Sequence, residues 1–306
     1  MLTVIFSTYN GVDTLPIMLD SLTKVTFPSE GWKLIAIDNA STDNTRVILD
    51  SYLERLPLTI LTELKPGKNN ALNTGLKYIE GDLVVFTDDD VIVDVSWLVN
   101  LLDQAKLNTE FNIFAGQILP YWTVMPEQWV LEWVNHQVVY ALTPIDLKEG
   151  EIPSGMVWGA NMAVRAEVFN KGFLFDTNVG PDGTNSYKMG SETSFTATLE
   201  KQGYRSYYAP NAKVQHIITQ NQLQYEWILG RAVRSGKSQL NTKNSIDFNT
   251  SLWWNIPRYM YREYLLNLIN LWIAHVRIDK KEVFLRRWTL NITRGLMQEA
   301  KIFYKQ

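Results

Sequence analysis

In the first third of the chain, apolar residues come in short unbroken runs, each followed by a polar turn and a stretch with helical spacing. Residues 2–6 form the first run, closed by Ser7, Thr8, Tyr9, Asn10 and Gly11; Leu15, Met18, Leu19 and Leu22 then share one helical face. Residues 33–37 predict a second strand ending at Asp38, and Asp43 is placed to cap a helix through Val47, Leu49 and Leu53. A third strand at 58–62, a helix over 70–79 and a fourth strand at 83–87 follow. The last runs straight into Asp88, Asp89 and Asp90, ahead of a helix at 95–102. Strands of this buried type alternating with helices imply an α/β fold with a mostly parallel sheet covered on both faces. Ligands bind such sheets beyond the carboxyl ends of the strands. The polar turns after strands one, two and four all fall at that edge.

The pattern becomes mixed from about residue 111 to 216, with turns around 153–159 and 180–190. Beyond residue 220 it is helical and rich in tryptophan. At 306 residues, with 46% hydrophobic and 20% charged, the chain can build a sizeable core and is not a disordered protein. Twenty-nine Lys and Arg against 32 Asp and Glu argue against a general nucleic-acid binder. The absence of cysteine removes disulfides, thiolate nucleophiles and cysteine zinc sites together. No basic leader precedes the first apolar run, and residues 264–276, the best candidate for a span, are short and interrupted by Asn267 and Asn270. The expectation is a soluble, cytoplasmic protein.

Three successive carboxylates at a strand end repel one another unless a cation or a hydrogen-bond network compensates. Oxygen ligands favour Mg²⁺ or Mn²⁺ over zinc, and Mg²⁺ is commonly held by one or two carboxylates together with substrate phosphates. Upstream, Gly67 and Gly75 frame Lys68 and the start of a helix, where a diphosphate can pair with the lysine. An acidic loop capping the next helix and a solvated Gly-Lys turn are the plainer readings of these two features.

The series Val4–Asn10, Ile37–Asp43, Gly67-Lys68 with Ala71-Leu72-Asn73, Phe86–Asp90, Gly159–Met162 and Gly190–Phe195 resembles family 2 glycosyltransferases in order and spacing, over about residues 2–220. The resemblance implies a GT-A fold, a nucleotide-sugar donor, a divalent cation and inversion at the anomeric carbon. On it, Thr8, Tyr9, Asp38, Lys68, Asn73, Asp88 and Asp89 fall to the donor. Tyr9 can stack on a base, with the Thr8 backbone framing it. Asp38 can accept the imide N–H of uracil or the N–H edge of guanine, which favours UDP or GDP over ADP without separating the first two; the expected donor is a UDP-sugar in preference to a GDP-sugar. Asp90, last of the acids, falls to Mg²⁺ or Mn²⁺, and His216 to the same cation. The family's Gly-Glu-Asp is here Gly190-Ser191-Glu192, which puts Glu192 at the position of the base. Trp158, Gly159 and Asn161 fall to the acceptor.

Arg231 and Arg234, three apart on one helical face, read as a basic lid over the diphosphate or as a solvated surface. The C-terminal combination of Trp272, Arg286, Arg287, Trp288, Arg294 and Lys301 reads as a helical layer on the catalytic domain, with an interfacial helix on an anionic membrane as the second reading. The expected division is a catalytic domain at 1–220 and a helical extension at 221–306. Within the first, 1–115 form the nucleotide-sugar half and 116–220 the acceptor half. The expected activity is metal-dependent inverting transfer of a sugar to a glycan or lipid-linked acceptor in polysaccharide or lipopolysaccharide synthesis, on the inner face of the membrane. Two rivals are a sugar nucleotidyltransferase, which would want a glycine-rich basic first turn, and a domain that binds nucleotide or glycan without turnover.

Overall fold

The computed structural model describes residues 1–184, 186–242 and 251–305. The first elements alternate: β1 (Leu2–Thr8), α1 (Leu15–Leu22), β2 (Trp32–Asp38), α2 (Thr45–Asp50), β3 (Leu58–Thr62), α3 (Lys68–Gly75) and β4 (Leu83–Phe86). Next come β5 (Val91–Val93), α4 (Trp97–Leu107), β6 (Ile113–Trp122), α5 (Gln128–Trp133), α6 (His136–Tyr140) and β7 (Gly150–Ile152). They are followed by β8 (Met162–Arg165), α7 (Ala166–Asn170), α8 (Ser191–Glu200) and β9 (Ser206–Ile218). The chain then forms α9 (Tyr225–Thr242), the short pair β10 (Leu252–Trp253) and β11 (Ile256–Pro257), α10 (Arg258–Val276) and α11 (Lys280–Phe303).

Two compact units result. Met1–Tyr121, Tyr140–Thr184 and Ser191–Ile217 make the first, and Trp122–Val139, Asn185–Gly190 and Ile218–Gln306 the second. The first is built on one sheet in the order β3-β2-β1-β4-β8-β6-β9-β5, with β7 alongside β9. β3, β2, β1 and β4 are parallel; β1, β2 and β4 are buried runs and the edge strand β3 is partly buried. β8 joins β4 and β6 antiparallel, and β5 and β7 pair antiparallel with β9.

Packing ties this sheet to the helix that matters most for the site. Phe195 of α8 stacks on Phe169 at 5.8 Å and meets Phe175 at 4.4 Å, while Phe175 meets Phe86 of β4 edge-on at 5.2 Å. Four buried rings therefore anchor α8, whose first turn carries Glu192, to the strand that leads into the acidic triplet.

Three local details differ from the sequence reading. Of Val47, Leu49 and Leu53 only Leu49 is buried; Val47 faces solvent, and Leu53 lies beyond the end of α2 and is exposed. The residue before that helix is Asn44, while Asp43 Oδ1 accepts from the Thr45 N–H at 3.0 Å and the Thr45 hydroxyl at 2.5 Å. β5 has no counterpart in the sequence reading, because its Val-Ile-Val becomes a strand by pairing with β9 far along the chain.

The second unit is helical. α9 and α11 approach closely at two glycines: a Cβ on Gly236 would lie 2.1 Å from the Ile292 carbonyl oxygen, and one on Gly295 2.0 Å from that of Val233. Trp129, Tyr225 and Phe284 cluster with ring centres 5.6–5.8 Å apart. No helix among the described residues is long and apolar enough to cross a membrane.

Candidate active site

Parallel pairing sets Thr8 opposite Asp38, so the ends of β1 and β2 present both residues at one edge. The turns beyond them are cross-linked. The Asn10 N–H donates to the Ser41 hydroxyl at 3.0 Å, the Thr42 N–H donates to Asn10 Oδ1 at 2.8 Å, and Asp38 Oδ1 accepts from the Ser41 N–H at 3.1 Å. Tyr9 is exposed on this rim. Asn39, buried beside Asp38, has no role in the sequence reading although it stands in the second motif. Its side chain donates to the carbonyls of Glu63 and Lys65, each at 2.9 Å, and accepts the Gly67 N–H at 2.8 Å. That one amide ties the loop before Lys68 to the sheet edge.

Lys68, the first residue of α3, brings two distant carboxylates together. Its ammonium lies 2.6 Å from Asp88 Oδ1 and 2.7 Å from Glu192 Oε1. Burial works against the lysine's charge, yet these two carboxylates outweigh it and hold its pKa above the usual lysine range. At Asp88 burial dominates, reinforced by Asp90 and Glu192, and raises the carboxyl in spite of Lys68. Two other residues of α3 hold the surrounding loops. Asn69 donates to the carbonyls of Asp176 and Val179 at 2.7 and 2.8 Å and accepts the Ser191 hydroxyl at 2.5 Å. Asn73 exchanges two bonds with the Phe175 backbone, at 2.9 and 3.0 Å.

Glu192 lies against Gly159. A Cβ added there would stand 2.2 Å from Glu192 Oε1 and 2.5 Å from its Cδ, so the glycine is required by the approach of the acid. Gly159→Ala should displace the carboxylate by a substantial fraction of an ångström and cut turnover about 10²-fold, the scale of such misplacements. A circular-dichroism melt close to wild type beside the lost rate would locate the defect in positioning.

Asp89 Oδ2 accepts the Thr8 hydroxyl at 2.5 Å. Burial first, then the charge of Asp90, pushes Asp89 up to about 7 against that bond. Asp90 goes the other way. Burial opposes its charge, but His216 more than compensates, and its pKa falls below the usual value. Asp90 Oδ2 lies 3.1 Å from His216 Nε2, while Nδ1 of the same ring lies 2.7 Å from the Tyr140 carbonyl. A carbonyl can only accept, so Nδ1 carries a proton and the Nε2 lone pair faces a carboxylate oxygen. A cation must stand between them, either a proton on Nε2 or a metal ion.

Asp90 Oδ1 is buried with no hydrogen-bond partner. An oxygen, an imidazole and an unpartnered oxygen make a donor set suited to Mn²⁺ or Mg²⁺ completed by substrate oxygens. Among the described residues, no three His, Asp or Glu side chains gather into a metal-ligating group.

In the metal-free protein, burial alone would lower His216, and Asp90 raises it to about 9 from an ordinary 6.5. A raised folded-state pKa stabilises fully below 6.5 and loses that contribution as pH climbs through about 9. With chelator present, the melting temperature should therefore drop more across this window for wild type than for His216→Gln. Parallel curves would contradict the ion pair.

On the other rim Trp158 is half-buried and Gly159, Ala160 and Asn161 are buried. Asn161 accepts from the Trp97 indole at 2.8 Å and donates to the carbonyls of Gln117 and Ala212 at 3.0 and 2.9 Å, which fixes the backbone of this turn. Thr87 adds a bond to the Ala160 carbonyl at 3.0 Å. Arg231 and Arg234 belong to the second unit. There Arg231 stacks over Trp227 at 5.6 Å and donates to the Tyr187 hydroxyl at 3.1 Å, and Arg234 lies 5.2 Å over the Tyr187 ring.

The sequence pattern of glycosyl transferase family 2 matches residues 3–173. The chain is 25% identical over 209 residues to the succinoglycan biosynthesis protein ExoM of Rhizobium meliloti, covering 67% of this chain and 63% of that protein. It is 34% identical over 152 residues to the poly(ribitol-phosphate) beta-N-acetylglucosaminyltransferase TarS of Staphylococcus aureus, covering 46% and 26% respectively. The chain thus spans less than two thirds of the length of these curated relatives. Among solved structures, the mannosyltransferase PcManGT of Pyrobaculum calidifontis, in complex with GDP-Man and Mn²⁺, superposes with a TM-score of 0.63 at 18% identity, covering 100% of this chain and 88% of that one. S. aureus TarS gives 0.54 at 16% identity, covering 94% and 54%. At these identities the structural likeness establishes the fold, that of the GT-A glycosyltransferases.

Proposed function

Because the chain belongs to glycosyl transferase family 2, we propose that it transfers a sugar from a nucleotide-diphosphosugar, a UDP-sugar in preference to a GDP-sugar, to a glycan or glycolipid acceptor with inversion at the anomeric carbon. The setting is polysaccharide or lipopolysaccharide synthesis on the cytoplasmic side of a membrane. Residues 1–115 would hold the donor, 116–220 the acceptor, and 221–306 form a helical extension. The observation that carries the reading is the convergence of Lys68, Asp88 and Glu192 within 2.7 Å contacts at the edge where the Asp90–His216 pair also stands.

In this reading Tyr9 stacks on the base, Asp38 accepts its N–H, and Thr8 holds Asp89 in place. Asp88 and Asp89 meet ribose or sugar hydroxyls. Lys68, already charged, offers its ammonium to the diphosphate, while Asn73 and Asn161 act through the backbones they fix. Glu192 takes the proton of the acceptor hydroxyl as that oxygen forms its bond to the anomeric carbon, and the nucleoside diphosphate leaves with the electron pair of the broken bond. Trp158 and Gly159 line the acceptor side. Asp90 and His216 would hold the divalent cation, which when bound stabilises charge on the departing diphosphate.

Calorimetry of UDP, GDP, ADP and CDP, each with Mn²⁺ and with chelator, tests the donor assignment. UDP or GDP binding that requires the metal supports it. No metal-linked binding of any nucleotide would remove it and leave a non-catalytic binding domain as the better account.

A further inference from the structure

α10 is unlike the other long helices, because only Met260 and Ala274 along its length are buried. One stripe, at spacings of four and three residues, runs Arg258, Arg262, Leu265, Ile269, Trp272 and Val276, and every member is exposed. Trp272 keeps 67% of its surface in solvent and Val276 64%. Just past the helix, Ile278 is 83% exposed and stands among the exposed cations Arg277, Lys280 and Lys281. An apolar stretch thus lies between two cationic ends.

Charge is distributed to match. Residues 251–305 contain ten Lys or Arg against four Asp or Glu, in a chain that overall has 29 against 32. Two of those four acids are already paired, Glu282 with Arg286 and Glu299 with Lys188. α9, α11 and Leu271 of α10, next to Trp272 in the chain, line an open groove of about 400 Å³. Leu229, Val233, Leu271 and Leu290 line it together with Glu226, Arg287 and Arg294.

We propose that the exposed face of α10 lies on an anionic phospholipid bilayer. Leu265, Ile269, Trp272 and Val276 enter the headgroup layer, and the flanking cations contact lipid phosphates. Apolar side chains interrupted by a tryptophan and bracketed by Arg and Lys are the pattern of a helix resting in the plane of a membrane interface. The adjoining groove, apolar with two arginines, suits an acyl chain and its phosphate. A second copy of the chain fits this face less well. Any pairing of two such helices along the stripe brings cationic end against cationic end, with few acids nearby to offset the repulsion. The inference rests on the surface chemistry of the second unit and is independent of the proposed transfer reaction.

Flotation of the 306-residue protein with phosphatidylcholine vesicles, with and without phosphatidylglycerol, tests it. Recovery with anionic vesicles should exceed recovery with neutral ones by about tenfold and fall as salt is raised. The double variant I269S/W272S should lose about tenfold or more in affinity through lost apolar burial. R262Q/R277Q should lose about fivefold per arginine. These side chains are exposed, so the circular-dichroism melts of both variants should match wild type. Equal recovery from neutral and anionic vesicles, or no flotation, would overturn the proposal. So would a dimer seen by light scattering that I269S/W272S dissociates, because the face would then belong to a second copy.

Discussion

Glu192→Gln is expected to lower transfer by about 10²–10⁴-fold, the range in which positioned general bases contribute, with nucleotide affinity little changed. Glutamine keeps the volume that packs against Gly159 but cannot take a proton from an acceptor hydroxyl. Lys68 keeps its other partner, Asp88 at 2.6 Å, so the ammonium stays in place for the diphosphate. The measurement is release of nucleoside diphosphate from whichever sugar donor the nucleotide screen selects, alongside calorimetry of the nucleotide itself. A variant that turned over at the wild-type rate would move the base elsewhere. One that lost nucleotide binding as well would show that Glu192 acts by holding Lys68.

Asp90→Asn should separate binding from metal. The substitution leaves the backbone contact of this turn, where the Ile217 N–H donates to the Asp90 carbonyl at 2.8 Å, so the sheet keeps its pairing. It removes the charge that faces His216 Nε2 and one anionic oxygen of the cation site. We expect Mn²⁺ no longer to strengthen nucleotide binding, and transfer to fall by about 10²–10³-fold, as when one group aimed at developing charge is deleted. Undiminished Mn²⁺ dependence would place the cation on other residues. Since His216 is held protonated by Asp90, the variant should also lose the stability difference that separates neutral from alkaline pH in the metal-free protein.

Much of the parallel half of the sheet was legible because its strands are short local apolar runs, buried in β1, β2 and β4 and partly buried in the edge strand β3. The runs at 2–6, 33–37, 58–62 and 83–87 have no competing periodicity, and each of the first three is followed by a helix before the next strand. The helix at 68–75 starts two residues before its periodicity suggests, since Asn39 and the carbonyl of Pro181 both bind the backbone at its head. What sequence cannot express is pairing across long separations. Three residues of β5 carry no pattern of their own and become a strand only because β9 arrives beside them. Asn39 and Asn69 look like ordinary polar positions until the carbonyls they satisfy are seen, and Asn73, which the motif assigns to the donor, is found bonded to the Phe175 backbone. The site residues show the same division. Lys68, Asp88 and Glu192 stand out by motif, but their contacts are a property of the folded chain, and Gly159 is explained only by the carboxylate beside it.

The partners of the cation site are 126 residues apart, held by the edge strand β5 and by β9, which is nearly the last strand to be synthesised. A nascent chain that has formed the local parallel half has the ends of β1, β2 and β4 in place but no His216 opposite Asp90. Such a long closure comes late in folding, because its loop entropy must be met before the contact returns anything. A divalent cation that engages both side chains would bind the completed sheet and ignore its precursor, and so favour the last step of assembly by mass action. Refolding followed in the presence and absence of Mn²⁺ would then differ in how long the finished sheet survives, while its early phases ran at the same rate.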